Sequence, residues 1–334
     1  MKTELTQSLD FSPLEERVSP VETIQVIKTE VMSSKIALVF LVLFVLFFLN
    51  VVGLIMGTIF ATSRVPIAVP HFLALGFFFI IPILILSSFY GWARDQIRFK
   101  RFAQRNQFDY AEAIENPGLE GAIFQTGSDR RITNHIKGVF QGYPFWAGNY
   151  SYTVSSGKNS TTYTYGVVAV ELQRALPHTL LDARKNNFLS RVSNLPSTFS
   201  RDQRLQLEGD FGKYFDLYAP KKYERDILYF LTPELMALLI DKGADYDIEI
   251  IDNNLFIYHQ NKLRATVDDV RNVFELIHHI GGEISENTQR YADERVGSKQ
   301  ANIVALQGKR LQQVNTGFII FILFICYILF VASR

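Results

Sequence analysis

The chain is poor in thiols and in net charge. One cysteine, Cys326, in 334 residues excludes a disulfide framework. Only 20% of the residues are charged, and 34 Lys and Arg against 33 Asp and Glu leave a net charge of +1. That balance excludes a globally basic nucleic-acid binder, so no nucleic acid is expected as a partner. With 11 Pro and 20 Gly, neither a collagen-like repeat nor a low-complexity chain is present. What the chain has instead is phenylalanine, 28 residues, crowded into a few apolar runs that lift the mean hydropathy to +0.08.

Those runs read as membrane spans. Residues 36–61 are 26 residues without a charge, about 39 Å of helix against a hydrocarbon core of about 30 Å. Residues 65–93 are 29 more, ending in Tyr90 and Trp92, rings expected at a membrane interface. A third run covers 311–333. The fold class expected is therefore a membrane protein with three transmembrane helices, an N-terminal hairpin plus a C-terminal anchor, and a soluble α+β domain. Its parts are a flexible leader 1–35, the hairpin 36–93, the domain 94–310 and the anchor 311–334. Arg94, Arg98, Lys100, Arg101 and Arg105 follow the second run against one acid, Asp95. The positive-inside rule then places the domain in the cytoplasm and the chain as a multi-pass protein of the plasma membrane. The same five cations are the candidate contacts with the lipid bilayer, through anionic headgroups. Gly53 and Gly57 form a small-xxx-small pair, and Gly76 could meet it across the hairpin.

Within 94–310 the period shifts between helix and strand. The run 94–105 reads as a helix continuing the second span, and 109–120 as another. Residues 131–141 and 145–154, separated by Gly142, Tyr143 and Pro144, read as a hairpin, and 161–172 as the clearest strand. Thr232 before Pro233 and Thr266 before Asp269 read as N-caps. Residues 247–252 and 255–260 around Asn253 and Asn254 read as a second hairpin, and 283–313 as mostly helix.

Chemical motifs are sparse. There is no G-x-x-x-x-G-K-[ST] phosphate loop, no G-x-S-x-G elbow and no H-x-x-x-H pair. Gly209 and Gly212 have the spacing of a KH-type clamp without a basic residue between them, and read as a turn. His135, His178, His259, His278 and His279 read as surface or hydrogen-bonded core residues. Asp247 and Glu249 alternate along one strand face. Paired carboxylates can do acid–base work, but a solvated face explains the pattern more cheaply. Asn149 and Asn159 fit the glycosylation pattern. No catalytic, cofactor or metal residue is assigned.

The segments Gly138–Phe145, Tyr165–Leu172 and Leu231–Met236 resemble those of bacterial membrane proteins of an uncharacterised family with two N-terminal spans and a β-rich cytoplasmic domain. The resemblance implies a bacterial cell membrane and no known activity. The function expected is a non-enzymatic interaction or scaffold module at the membrane face with a protein partner. Its surface would be the aromatic sheet of Phe140, Tyr143, Phe145, Trp146, Tyr150 and Tyr152, a stripe that reads more cheaply as the domain core. The alternative is a membrane-embedded enzyme or a lipid-handling protein.

Overall fold

β-branched and aromatic residues dominate 128–183, and the chain there forms three consecutive antiparallel strands. The computed structural model describes residues 9–33, 44–45, 48–49, 52–53, 57, 69–187, 193–207, 209–298 and 301–314, with side-chain surroundings left out at 30–33, 69–79 and 81–82. The chain divides into two compact units, 12–102 and 1–11 with 103–334.

In the first unit, α1 is Ser12–Glu15, α2 is Pro20–Ser33 and α3 is Val69–Arg105. Pro20 opens α2 at the first helical position, where its missing N–H costs nothing. Arg101 reaches Glu16 at 3.3 Å and Glu22 at 2.6 Å, so α3 is ion-paired to the residues around the start of α2.

Among the described residues no helix is long and apolar enough to cross a membrane. This overturns the three-span fold class, the multi-pass plasma-membrane placement and the membrane character that went with them. The helical continuation expected after the second run is present, in α3 through Arg94, Asp95, Arg98, Lys100 and Arg101. The third run fails at its start. Residues 311–314 are extended, with Gln313 bridged to Phe199 and the Val314 N–H donating to the Thr198 carbonyl at 2.7 Å. The rest of that run and most of 36–61 lie outside the described residues.

The second unit is α+β, built on one antiparallel sheet. β1 is Asp109–Glu115, β2 Ser128–Phe140, β3 Tyr143–Ser156, β4 Asn159–Ala183, β5 Arg204–Leu205, β6 Phe215–Tyr218 and β7 Asp247–His259. The order is β1-β2-β3-β4-β6-β5, with β7 on the other edge of β4. β4, 25 residues long, is the spine. β3 covers its first half, β6 its last four residues, and β7 follows it from Gly166 to Leu181. Pro177, which cannot donate a ladder bond, falls where the β4–β7 register shifts.

One face of the sheet packs Ile132, Tyr150, Tyr165, Val167, Phe256 and Tyr258 against Ala122–Phe124, Leu195, Phe199 and Leu311. On the other face α6, Val267–Leu276, sets Phe274 against Phe140 and Phe145 at ring distances of 4.9 and 5.4 Å. The remaining helices are α4 Glu224–Phe230, α5 Pro233–Leu238, α7 Gly282–Thr288 and α8 Leu306–Lys309. Thr232 and Thr266 cap α5 and α6, accepting from the Leu235 and Asp269 N–H groups.

Three expected elements differ. Residues 109–115 are a strand, because β2 offers opposite charges across the ladder, Asp109 to Lys137 and Glu115 to Arg131. The expected turn at Asn253 and Asn254 is mid-strand: β4 bulges between Glu171 and Leu176, and β7 continues through a local kink at Asp252, φ 54°. Residues 283–313 break after α7, because Asp293 takes the Ala305 N–H and the Tyr223 hydroxyl, and Gly297 turns at φ 75°.

Gly127 has φ 69°, and a Cβ there would sit 2.5 Å from the Thr153 carbonyl oxygen. Gly127→Ala is expected to lose about 3 kcal/mol in urea unfolding, from strain plus a backbone clash. Gly157→Ala, at φ 59° with open space around it, should lose only about 1 kcal/mol.

Candidate functional site

Asp247 and Glu249 do share a strand face, but that face is the core. They are 1% and 0% exposed, which corrects the solvated-face reading. The Glu249 carboxylate accepts from the Tyr258 hydroxyl at 2.5 Å and the Ala122 N–H at 2.7 Å on Oε2, and meets His178 Nε2 at 2.7 Å on Oε1. The Leu311 N–H donates to His178 Nδ1 at 3.0 Å. With Nδ1 accepting, the ring proton sits on Nε2 and points at Glu249. Gly121 makes room for this centre, since a Cβ there would lie 2.8 Å from Glu249 Oε2. Burial, then the Glu249 charge, holds the Tyr258 hydroxyl well above the usual tyrosine range.

One register step away, Asp247 Oδ1 accepts the Ala183 N–H at 2.8 Å and Oδ2 accepts Asn194 Nδ2 at 2.9 Å. Asp182 accepts Asn187 Nδ2 at 2.8 Å, and Asn187 in turn accepts the Asn194 N–H at 2.9 Å. Burial, reinforced by the nearby Asp182 carboxylate, pushes Asp247 up to about 7. Burial also raises Asp182. The residue types are those of acid–base catalysis, but the atoms are spent on one another and on backbone amides. Their chemical effect is to brace Ala122, Asn187, Asn194 and Leu311 against the β4–β7 ladder.

Beside β4 and β7, on the α6 side, lies an open cleft of about 620 Å³. Its walls are Gly166 and Val168 of β4, Ile257 and His259 of β7, residues 261–264, and α6 from Asp268 to Leu276. Asn149, 4% exposed on β3, fixes the loop: its Nδ2 donates to the Leu263 carbonyl at 3.0 Å, and its Oδ1 accepts the Leu263 N–H at 2.6 Å. The Gly166 N–H donates to the Asn261 carbonyl at 3.1 Å, and a Cβ at 166 would lie 2.9 Å from that same oxygen. The loop thus carries Lys262 and Arg264 on a backbone held at both ends. Tyr246 closes one side, its ring 5.2 Å from the His259 ring and tilted 44° to it, and its hydroxyl bonded to Asn272.

The residues singled out from sequence lie elsewhere. Arg94, Lys100 and Arg105 are exposed. Arg98 donates to the Glu16 carbonyl at 3.3 Å, Arg101 pairs with Glu16 and Glu22, and Arg105 pairs with Asp10 at 3.3 Å. A Cβ on Gly53 or Gly57 meets nothing within 4 Å among the described residues, and the surroundings of Gly76 lie outside them. The His135 ring lies 5.5 Å from that of Trp146, tilted to it, and His278 and His279 line a second cleft with Tyr143. No group of three or more His, Cys, Asp or Glu among the described residues could hold a metal. Phe140, Phe145, Tyr150 and Tyr152 are buried core, as the core reading of the aromatic stripe expects, while Tyr143 and Trp146 are half-buried. The sequence reading missed Tyr246, Lys262, Arg264 and Asn272, and it saw Asn149 only as a glycosylation pattern. An Asn in mid-strand among aromatics, where Asn is depleted, was the available signal.

No protein-family model matches the chain, and no curated protein matches it in sequence. In structure it is similar to the crystal structure of the mycobacterial trehalose monomycolate transport factor A, TtfA, at a TM-score of 0.36 and 12% identity, over 55% of this chain and 95% of that chain. At that score the likeness carries no functional argument, and it does not bear on the resemblance to bacterial membrane proteins.

Asp247 makes a pH prediction. Unfolded, the carboxyl loses its proton near 3.8; folded, it keeps it to about 7. Between those values the native state binds more protons, so this group's contribution to stability falls as pH rises, by a few kcal/mol in all. Asp247→Asn should remove most of that fall and be more stable than wild type at pH 8. The Asn194 Oδ1, which has no partner, can accept from the new amide once Asn194 flips. Urea unfolding at pH 4, 6 and 8 checks this.

Proposed function

We propose that this chain is a non-enzymatic binding module whose ligand enters the cleft between β4, β7, residues 261–264 and α6. The observation that carries the reading is the Asn149 clamp. A buried side-chain amide gives both its donor and its acceptor to one loop residue, Leu263, so the loop needs no ordering when a ligand arrives. The volume fits the range of about 300–1,000 Å³ common to small-molecule sites, and an apolar floor with a few polar groups at the mouth is their usual composition. The buried acids argue in the same direction: His178, Glu249 and Tyr258 serve one another and the backbone rather than the cleft.

The test incubates the full-length protein with a fractionated small-molecule extract, reads hydrogen exchange over 259–276, and identifies what is released on denaturation. The reading expects protection in that segment and recovery of the compound chemically unchanged. Turnover of the bound compound, or protection confined to other surfaces, overturns it.

A further inference from the structure

The side chains of the cleft sort by charge and polarity. Val168, Ile257, Leu263, Val273 and Leu276 form an apolar floor. Both carboxylates of the lining are matched by a cation: Asp269 pairs with Arg264 at 3.4 Å and Asp268 with Arg271 at 3.5 Å. Lys262, exposed at the mouth, has no carboxylate within 4 Å among the described residues. The cleft therefore keeps one uncompensated positive charge next to an apolar pocket.

We infer that the ligand is an amphiphile with a single carboxylate, its apolar body on the floor and its head at the Lys262 ammonium. This deepens the reading of the cleft as the binding site and rests on it. Charge complementarity selects the head. A neutral one leaves Lys262 unused, and a cationic one meets it as a like charge. A phosphate dianion would be only half neutralised by a single ammonium.

The experiment is isothermal titration of the full-length protein with three twelve-carbon probes below their micelle-forming concentrations: dodecanoate, dodecanol and dodecyltrimethylammonium. Dodecanoate is expected to bind one to one and tightest, weakening as salt is raised. Lys262→Gln, at an exposed position that leaves the fold unaffected, should weaken dodecanoate about five-fold, the effect of one partly exposed ion pair, and leave dodecanol unchanged. Asn272→Trp, which fills the mouth from the half-buried face of α6, should abolish both, with circular dichroism confirming that it folds. Dodecanol binding as tightly as dodecanoate and equally to both forms at 262 overturns the carboxylate assignment while leaving the cleft as a site. Tightest binding of dodecyltrimethylammonium overturns it as well. Absence of binding by all three probes overturns the amphiphile inference alone, because the extract experiment still reads the cleft.

Discussion

A carboxylate with no access to water must be given donors, and Glu249 organises the second unit around that requirement. Its donors come from three distant parts of the chain: Tyr258 on the same strand, Ala122 in the segment that covers the sheet, and His178 on β4. His178 extends the chain of bonds to Leu311. Removing one partner of such a buried pair costs about 3–5 kcal/mol, because the remaining charge stays buried and unpaired. Segment 119–124 forms no regular secondary structure, and the network ties it to β7, while 311–314 is held both by the network and by its bridge to Phe199. Asp247 and Asp182 do the same for Ala183, Asn187 and Asn194 with amides as partners, and burial raises both carboxyls.

The cleft follows from this brace. β7 runs the length of β4, and at its end the chain must leave the ladder at His259 and return to α6. Asn149 takes over where strand pairing stops, its amide supplying to Leu263 the donor and acceptor that a neighbouring strand would have given. The result is an apolar floor made by a rigid sheet and a mouth made by a short loop whose two cations point away from the core. Arg264 is tied to Asp269, which leaves Lys262 free to answer a ligand.

The sequence made some of this legible and hid the rest for identifiable reasons. The β2–β3 hairpin and the caps at Thr232 and Thr266 are local, set by turn residues and by hydroxyls three positions from the amides they accept from. They appear where the pattern puts them. Residues 109–115 become a strand through partners 16 to 28 residues away, which local propensity cannot report. Asn253 and Asn254 are good turn formers overridden by a ladder on β4. Asp247 and Glu249 deceive most. Alternation of acid and isoleucine is the pattern of a half-exposed strand, yet both faces of β7 are covered. The acid face is recognisable only once Tyr258, His178 and Ala122 are seen to converge on it. The apolar runs read as spans by length alone, and the described helices do not bear that out. The cations after the second run spend part of their charge on Glu16, Glu22 and Asp10 of the leader.

The central claim is that one hydrogen-bonded interior holds the covering segments and the cleft loop as a single unit. Native-state hydrogen exchange on the amides of Ala122, Ala183, Leu263 and Leu311 tests it most directly. The account predicts that all four exchange only through global unfolding, with the same free energy and the same denaturant dependence. Exchange of Leu311 or Leu263 through a low-energy local opening, while the β4 amides stay protected, would contradict it.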